Sequence, residues 1–411
     1  MIKKISAAAI IMSAAYVILG ISCNCLAEDK DAAFIMRGVT WSPATYAPDS
    51  GPNPHNPSET VPYGFFFDWY NRDPQGHVVF TNWMRGEHKK HYKDDIALMK
   101  KMNINTVRLY GDLGDKKKDY RDILDEFEKS GISVIMTVSS SKDDLDAKRY
   151  IKVIKLCKDH PAILFWNLGN EWNLDYSKFF GYDTVASAAR AVEKAASEIK
   201  KLDPGRMVAS CLGDRFADQD PENTVKSIVE TCGSVDIWGL NIYRGRTFGD
   251  LFEQWRAITD KPMYISEFGI DSFETTGYTK AGSIHAVECR GAINEGAQAE
   301  LDLTLWKEIE GHLKAVDPGE QCLGGTVHTF NDTPWKVGNY HVLLGGILDY
   351  SDPVQGVSYK AYNTEGIYLI GSAPDDVFNE EYFGLVDAER KPKEAYRRLN
   401  EYYNYLEDTY K

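Results

Sequence analysis

Two glutamates stand at the ends of apolar segments, where a charge is costly for packing and useful for chemistry. Glu171 ends a run that begins at Ile163, and Glu267 ends a shorter run that begins at Met263. Either one alone could equally cap a following helix or pair with an arginine. Two carboxyl groups in one half-dry cleft can divide the roles of acid and base, because repulsion and desolvation raise one of the two pKa values. Cleavage of a glycosidic bond needs such a pair.

The elements that must position these glutamates are eight apolar runs of strand length, separated by amphipathic segments. Most of the runs are continuously apolar, as expected of strands that are covered on both faces. They are Phe34–Trp41, Asn105–Tyr110, Ile132–Val138, Ala162–Leu168, Met207–Leu212, Val235–Ile242, Met263–Ile265 and Leu323–Thr329. This alternation predicts an α/β fold, a single (β/α)8 TIM barrel over residues 28–411. A doubly wound open sheet is the alternative, but Gly38–Pro43 is not a glycine-rich phosphate turn.

Three connections are too long to be simple linkers. They are Pro43–Arg85, which is rich in aromatic residues, Phe268–Ala297 and Asn331–Phe383. Each leaves the carboxyl end of a predicted strand, which is the face where barrel enzymes build their active sites. We therefore expect a walled cleft on that rim, with ordinary surface decoration as the alternative.

Composition and charge exclude several classes of partner. The net charge of −14 argues against nucleic acid and anionic membrane surfaces. The 24 Tyr, 17 Phe and 9 Trp suit a neutral sugar, whose C–H faces stack on aromatic rings, although most of them are expected in the core. No Gly-x-Ser-x-Gly elbow is present. His88 and His91 lie among lysines on a predicted helix surface, so we predict neither a metal site nor a cofactor.

The amino terminus has the pattern of an export signal. A positive start is followed by the uncharged stretch Ile5–Ile21, and small residues precede Ala27. We predict a signal peptide over residues 1–27 and a mature chain in the periplasm or the medium. An uncleaved anchor and lipidation at Cys23 are the alternatives, although Gly20 stands where a lipidation motif usually has Leu. No other stretch is apolar enough to span a membrane.

Five cysteines would survive cleavage after Ala27, and an odd number cannot all pair. They are Cys157, Cys211, Cys232, Cys289 and Cys322. No Cys-x-x-Cys occurs, so neither a zinc knuckle nor a redox motif is indicated. An oxidising compartment would allow one or two disulfides, and the sequence does not say which.

The strings around both glutamates resemble one group of enzymes. Trp166–Asn173, preceded by a His-Pro pair, resembles the end of the fourth strand in the clan-A retaining glycoside hydrolases, and Ser266–Gly269 resembles the end of their seventh strand. The resemblance covers about Phe34–Tyr396 and is closest to the barrels of families two and five. Arg37–Val39 and Ile104–Arg108 are similar to fungal-type β-1,3-glucanosyltransferases. We expect no amino-terminal β-sandwich and hence no full family-two architecture.

The resemblance also implies roles for particular residues. It implies that Glu171 is the acid/base and Glu267 the nucleophile, and that Asn170 hydrogen-bonds the sugar 2-hydroxyl. It places Arg108 beside Glu267, which it should keep ionised, and it has Tyr243 donate its hydroxyl to Glu267. A plain structural salt bridge and a buried tyrosine with a backbone partner are the alternatives for Arg108 and Tyr243.

Three aromatic residues are candidates for contact with the sugar. Trp41, after the first strand, and Trp335, after the eighth, are either stacking platforms or core residues. Phe330 stands near the end of the eighth strand, where the clan relatives usually carry a Trp under the catalytic sugar. This departure concerns the shape of that subsite and leaves the implied mechanism unchanged.

Taken together, these features predict a retaining glycoside hydrolase that acts on a β-linked, glucan-like poly- or oligosaccharide. Retention predicts carboxyl groups about 5–5.5 Å apart, whereas inversion needs about 6.5–9.5 Å. Two alternatives stay open. The same site could act as a β-glucan transglycosylase, or the barrel could be a catalytically inactive carbohydrate-binding protein.

Overall fold

The structure is a computed structural model, and it describes most of the chain from residue 34 onwards. The described residues are 34–43, 51–53, 56–61, 79–174, 181–216, 224–281, 286–333, 341–343, 346–348, 357–358, 377–378 and 382–410. The proposed signal peptide over residues 1–27 and the candidate Trp335 lie outside them, so both stay predictions.

Eight parallel strands close into a barrel, in which each strand pairs with its neighbours along the chain and the last pairs with the first. The strands are β1 Met36–Thr40, β2 Thr106–Leu109, β3 Ser133–Ser139, β4 Ile163–Leu168, β5 Val208–Gly213, β6 Ile237–Asn241, β7 Met263–Phe268 and β8 Cys322–Val327. Each overlaps one of the eight predicted runs. The predicted single TIM barrel is confirmed, and the open sheet is excluded.

Helices separate the strands and cover the outside of the barrel. They are α1 Val79–Lys101, α2 Lys117–Ser130, α3 Lys142–Asp146, α4 Arg149–Cys157, α5 Val185–Leu202, α6 Val225–Thr231, α7 Leu251–Ile258, α8 Glu295–Glu310 and α9 Glu394–Tyr410. Helix α5 begins after Thr184, whose side chain accepts a hydrogen bond from the backbone of Ser187 as an N-cap. Within the described part of the chain, no helix is both long enough and apolar enough to cross a membrane.

The barrel strands divide their side chains between two apolar layers. In β5, Ala209 and Cys211 belong to the inner cluster, whereas Val208 and Leu212 belong to the large outer cluster beneath the helices. Successive side chains of a strand point to opposite faces, which explains this alternation. The same alternation decides which residues at a strand end face the mouth of the barrel.

The long connections leave the carboxyl ends of β1, β7 and β8, as predicted; the first two contain one antiparallel hairpin each, and the third contains two. The hairpins pair Gly51–Asn53 with Asn56–Val61, Phe273–Ala281 with Ala286–Ile293, His341–Leu343 with Gly346–Leu348, and Val357–Ser358 with Val377–Phe378. The first connection is shorter than predicted, because α1 already begins at Val79.

Four of the cysteines are buried free thiols, so they form no disulfide with one another. They are Cys157, Cys211, Cys232 and Cys322. Burial raises the pKa of Cys157, Cys232 and Cys322 to about 12, which keeps these thiols protonated and unreactive. The side chain of Cys289 lies outside the described part.

A buried lysine ties the carboxyl-terminal segment to two of the loops at the mouth. The ammonium group of Lys393 donates to Asp332 Oδ1 at 2.6 Å, to Ser272 Oγ at 2.9 Å and to the carbonyl of Tyr382 at 3.1 Å. Burial raises the pKa of Asp332 to about 6, although the charge of Lys393 acts against this rise. The pair therefore holds the loops after β7 and β8 against the segment before α9.

We expect Lys393→Met to lower the free energy of unfolding by about 3–5 kcal/mol at pH 8, because it leaves Asp332 as a buried, unpaired carboxylate. The folded-state pKa of Asp332 is raised, so its carboxyl favours the folded state most at low pH and loses that contribution as pH rises through about 6. The deficit should therefore shrink at pH 5, where Asp332 is protonated. Urea denaturation at both pH values measures it, with the exposed Lys307→Met as the control. An equal deficit at both pH values would contradict the pairing.

Candidate active site

A buried arginine connects four strands at the mouth of the barrel. The side chain of Arg108, at the end of β2, is 0% exposed. Its Nη1 donates to Glu267 Oε1 at 2.9 Å, to the carbonyl of Ser266 at 3.0 Å and to Asn241 Oδ1 at 3.3 Å. Its Nη2 donates to Asn170 Oδ1 at 2.5 Å. The guanidinium thus holds the ends of β4, β6 and β7 around one charge.

The carboxylate of Glu267 is surrounded by donors. Tyr110 donates its hydroxyl to Oε1 at 2.6 Å, and Tyr243 donates its hydroxyl to Oε2 at 2.9 Å. The Nδ1 atom of His328 lies 3.8 Å from Oε2. With Arg108, these side chains converge from β2, β6 and β8 on a group that is only 8% exposed.

This surrounding keeps Glu267 ionised. Burial alone raises the pKa of its carboxyl, but the positive charges of His328 and Arg108 and the hydrogen bonds from Tyr110 and Tyr243 outweigh burial, and the pKa lies below its ordinary value. Burial and the charge of Glu267 raise the pKa of both tyrosines, so their hydroxyls stay protonated donors. An anion with oriented donors is what a carboxylate nucleophile requires.

An irregularity in β7 aims Glu267 into the barrel. The pairing register with β6 shifts between Ile265 and Glu267, and the pairing with β8 shifts over the same part of β7. Tyr264 faces the interior, so strict alternation would turn Ser266 inward and Glu267 outward. With the shift, both face inward: Ser266 Oγ donates to Asn241 Oδ1 at 2.6 Å, and Glu267 meets Arg108.

Glu171 follows β4 in a backbone conformation that non-glycine residues rarely adopt. Its φ is 49°, in the left-handed region, which costs about 1–3 kcal/mol. Hydrogen bonds to β5 hold it there. The backbone N–H of Glu171 donates to the carbonyl of Cys211 at 3.1 Å. The side-chain amide of Asn173 donates to the carbonyl of Gly213 at 3.0 Å and accepts from its N–H at 2.8 Å.

The two glutamates share a neighbour. Burial raises the pKa of Tyr243, and the negative charges of Glu267 and Glu171 raise it further, so both carboxylates act on one phenol. Since β4 and β7 are parallel strands of the same closed barrel, both glutamates also stand on the same rim. This geometry allows one carboxyl group to attack and the other to transfer protons.

Among the predicted binding residues, Arg108, Asn170 and Tyr243 join Glu267 in one hydrogen-bonded group. Three residues of the group were missed by sequence reasoning: Tyr110, Asn241 and His328. Tyr110 could have been found, because it lies two residues after Arg108 and so on the same face of the strand.

The prediction that Trp41 could be a stacking platform is wrong. The residue is fully buried, its Nε1 donates to Asp95 Oδ2 at 2.9 Å, and its ring packs edge-on against His88 and Phe127. The alternation of β1 is the reason. Thr40 faces the mouth, where its hydroxyl meets a histidine, and the next residue must point outward.

The prediction that Phe330 contacts the sugar is also wrong. This ring is fully buried in the outer apolar layer and offers no face to a sugar. His328 takes the place beside Glu267 at the end of β8 instead. Trp335 stays an untested candidate.

One group of side chains has the spacing of metal ligands within the described residues, and it is remote from this site. It consists of Asp125, Glu128 and His160, which lie on the outside of the barrel. His160 precedes β4, so the group belongs to the opposite rim from Glu171. His160 Nε2 pairs with Asp125 Oδ1 at 2.9 Å, which accounts for the contact as an ion pair.

The comparison with protein families agrees with this geometry. Residues 82–284 match the model described as "Glycosyl hydrolases family 2, TIM barrel domain". Over those residues, just under half of the chain, this barrel is similar to the barrel domain of that family. None of the curated proteins matches the sequence.

Solved glycosidase structures share the fold of this barrel. A β-glucuronidase from Faecalibacterium prausnitzii L2-6, whose title calls it FMN-binding, superimposes with a TM-score of 0.51 at 16% identity, over 91% of this chain and 44% of that one. Bacteroides uniformis β-glucuronidase 2, covalently bound to cyclophellitol-6-carboxylate aziridine, gives 0.50 at 17% identity, over 90% and 35%. This chain thus spans less than half of either protein. At this identity, the likeness concerns the fold alone.

The burial of Trp41 predicts a stability defect without a binding defect. Trp41→Phe removes a hydrogen bond to the buried Asp95 and should lower the free energy of unfolding by about 1–3 kcal/mol. KM should not change, because the ring does not reach the mouth. Chemical denaturation and steady-state kinetics measure the two quantities. Trp255→Phe, another buried tryptophan with a bonded Nε1, is the control. A rise in KM for Trp41→Phe, without a rise for Trp255→Phe, would show instead that the Trp41 ring contacts the substrate.

Proposed function

We propose that the barrel is a retaining β-glycosidase with Glu267 as nucleophile and Glu171 as acid/base. The observation that carries this proposal is the Glu267 carboxylate, held ionised among Arg108, Tyr110 and Tyr243 on the rim where Glu171 stands. A carboxylate kept anionic by a buried cation and two phenols is suited to attack and unsuited to donate a proton.

In the first step, Glu171 would protonate the glycosidic oxygen while Glu267 attacks the anomeric carbon, and a covalent ester forms as the leaving group departs. In the second step, Glu171 would take a proton from water, the water oxygen would bond to the anomeric carbon, and the electron pair of the ester bond would return to Glu267. Both steps use the same two side chains in opposite protonation states.

The amide of Asn170 is oriented for the sugar. Its Oδ1 accepts hydrogen bonds from Arg108 Nη2 and from Asn241 Nδ2, the second at 3.1 Å. Both are donors, so the oxygen of Asn170 faces them and the NH2 group is turned to the other side. That group can donate to a hydroxyl of the sugar beside Glu267, which is the role that the resemblance implies.

We favour a β-linked, glucan-like poly- or oligosaccharide as the substrate. Long connections on the catalytic rim suit a cleft for a chain of sugars, and the export predicted for residues 1–27 would bring the enzyme to polymers outside the cell. The fold shared with β-glucuronidases adds β-glucuronides to the compounds that must be tried. Transfer to a second sugar instead of water would use the same site.

The roles of the two glutamates are separable by azide rescue. Glu171→Ala should still react with a dinitrophenyl β-glycoside, which needs no proton, and should accumulate the glycosyl-enzyme. Azide should then restore turnover and yield the β-glycosyl azide. Glu267→Ala should lose the first step for every leaving group and yield the α-azide. Product analysis by NMR decides, and the reverse pattern would show that the roles are exchanged.

The substrate and the stereochemistry can be tested together. We expect activity on laminarin and other soluble β-glucans above that on β-mannan or aryl β-glucuronides, with the β-anomer formed first. Chromatography of the products and NMR of the first-formed anomer measure both. Activity confined to aryl β-glucuronides would replace the substrate class, and a first-formed α-anomer would exclude retention. Binding of these sugars without any turnover would favour the inactive barrel.

A further inference from the structure

His328 links Glu267 to the closure of the barrel between β8 and β1. It follows β8 directly, and its backbone N–H donates to the carbonyl of Phe268 at 2.9 Å. Its Nδ1 lies 3.1 Å from Thr40 Oγ1, 3.0 Å from the hydroxyl oxygen of Tyr110 and 3.8 Å from Glu267 Oε2. One ring nitrogen therefore meets a hydroxyl that itself contacts Glu267.

The direction of these hydrogen bonds follows from counting protons. Tyr110 has a single hydroxyl proton and donates it to Glu267 Oε1 at 2.6 Å. Towards His328, the oxygen of Tyr110 must then accept, so Nδ1 carries a proton. The result is a relay in which Nδ1–H points at the phenol oxygen and the phenol O–H points at the carboxylate.

The surroundings strengthen the interaction between this ring and Glu267. The His328 ring packs against the rings of Tyr110, Tyr243 and Phe383, with centroids at 6.2, 6.3 and 5.8 Å, and its side chain is 8% exposed. Charges interact more strongly in such an apolar, water-poor place than in solution. The Nδ1 atom of His328 lies 3.8 Å from Glu267 Oε2, so a charge on either group acts directly on the other.

We propose that His328 is a positioning residue whose positive charge holds Glu267 ionised in acidic solution and whose Nδ1–H aims Tyr110 at that carboxylate. This inference rests on the proposed function, in which Glu267 must be an anion to attack. It also assigns His328 a part in the second step. When the ester bond breaks, the electron pair returns to Glu267 next to a waiting positive charge.

Within the described part of the chain, the other ionisable groups around Glu267 do not replace this role. Arg108 faces Glu267 from β2 and is charged at every pH, so it cannot confer pH dependence. Tyr243, which follows β6, donates its hydroxyl to Glu267 as a neutral group. The charge of Glu171 acts on Tyr243. Burial raises the pKa of Glu267. The charge of His328 lowers this pKa more than the charge of Arg108 does.

His328→Asn separates charge from hydrogen bonding, because the Asn amide can place a neutral donor near the position of Nδ1. With a dinitrophenyl glycoside, which needs no acid, the rising acid limb of kcat/KM reports Glu267. Loss of the positive charge should move this limb to higher pH by about 1 unit or more. His328→Phe removes charge and donor together and should show the same shift with a lower kcat. His312→Asn, a second imidazole that pairs with Glu320, should leave the limb where it is.

A titration that requires no turnover tests the role of His328 independently of the proposed function. In protein with 13C-labelled glutamate, the Glu267 carboxyl resonance is assigned by its loss in Glu267→Gln and followed against pH. The titration of Glu267 should move to higher pH in His328→Asn, whose folding is checked by near-ultraviolet circular dichroism. An unchanged titration overturns the inference, as does an unmoved acid limb in an active His328→Asn. If the wild-type protein turns over no glycoside, the proposed function fails, and the titration still decides the role of His328.

Discussion

The buried charge of Arg108 is the constraint on which the mouth of the barrel depends. A guanidinium cannot lose its proton in a protein, so a fully buried one must be paired and hydrogen-bonded. The partners of Arg108 are side chains at the ends of three other strands: Asn170 after β4, Asn241 in β6 and Glu267 in β7. Satisfying this one group therefore sets the relative positions of the residues that would handle a sugar.

Around Arg108 and Glu267, hydrogen bonds connect the polar groups at the mouth of the barrel. These groups lie above the inner apolar cluster. The inner cluster below contains Phe165 and Tyr264. Above it, Tyr110, Tyr243 and His328 complete the shell of Glu267. A hydrogen-bonded network of buried polar groups restricts the motion of its members, and a carboxylate nucleophile needs this because misplacement by 1 Å is costly.

Much of this arrangement was predictable because strands obey simple rules. Continuous apolar runs indicated a two-sided, covered strand, and eight of them indicated a closed barrel, whose carboxyl ends share one rim. The positions of Glu171 and Glu267 on that rim follow directly. Arg108 and Tyr243 were predicted beside Glu267 through the resemblance. The prediction for Trp41 was wrong because it used only the position of this residue after the first strand and ignored the alternation of side chains. In β1 the residue that points inward is Thr40.

The amino-acid sequence by itself determined the barrel, the rim and the two carboxylates, because apolar periodicity and residue type are local properties. Only the tertiary structure decided how these groups face one another. The register shift in β7 that turns both Ser266 and Glu267 inward leaves no trace in the apolar pattern. The approach of His328 to Glu267 depends on a β8 that closes the barrel against β1. Such contacts arise from the packing of segments that are distant in the chain, and no single segment encodes them.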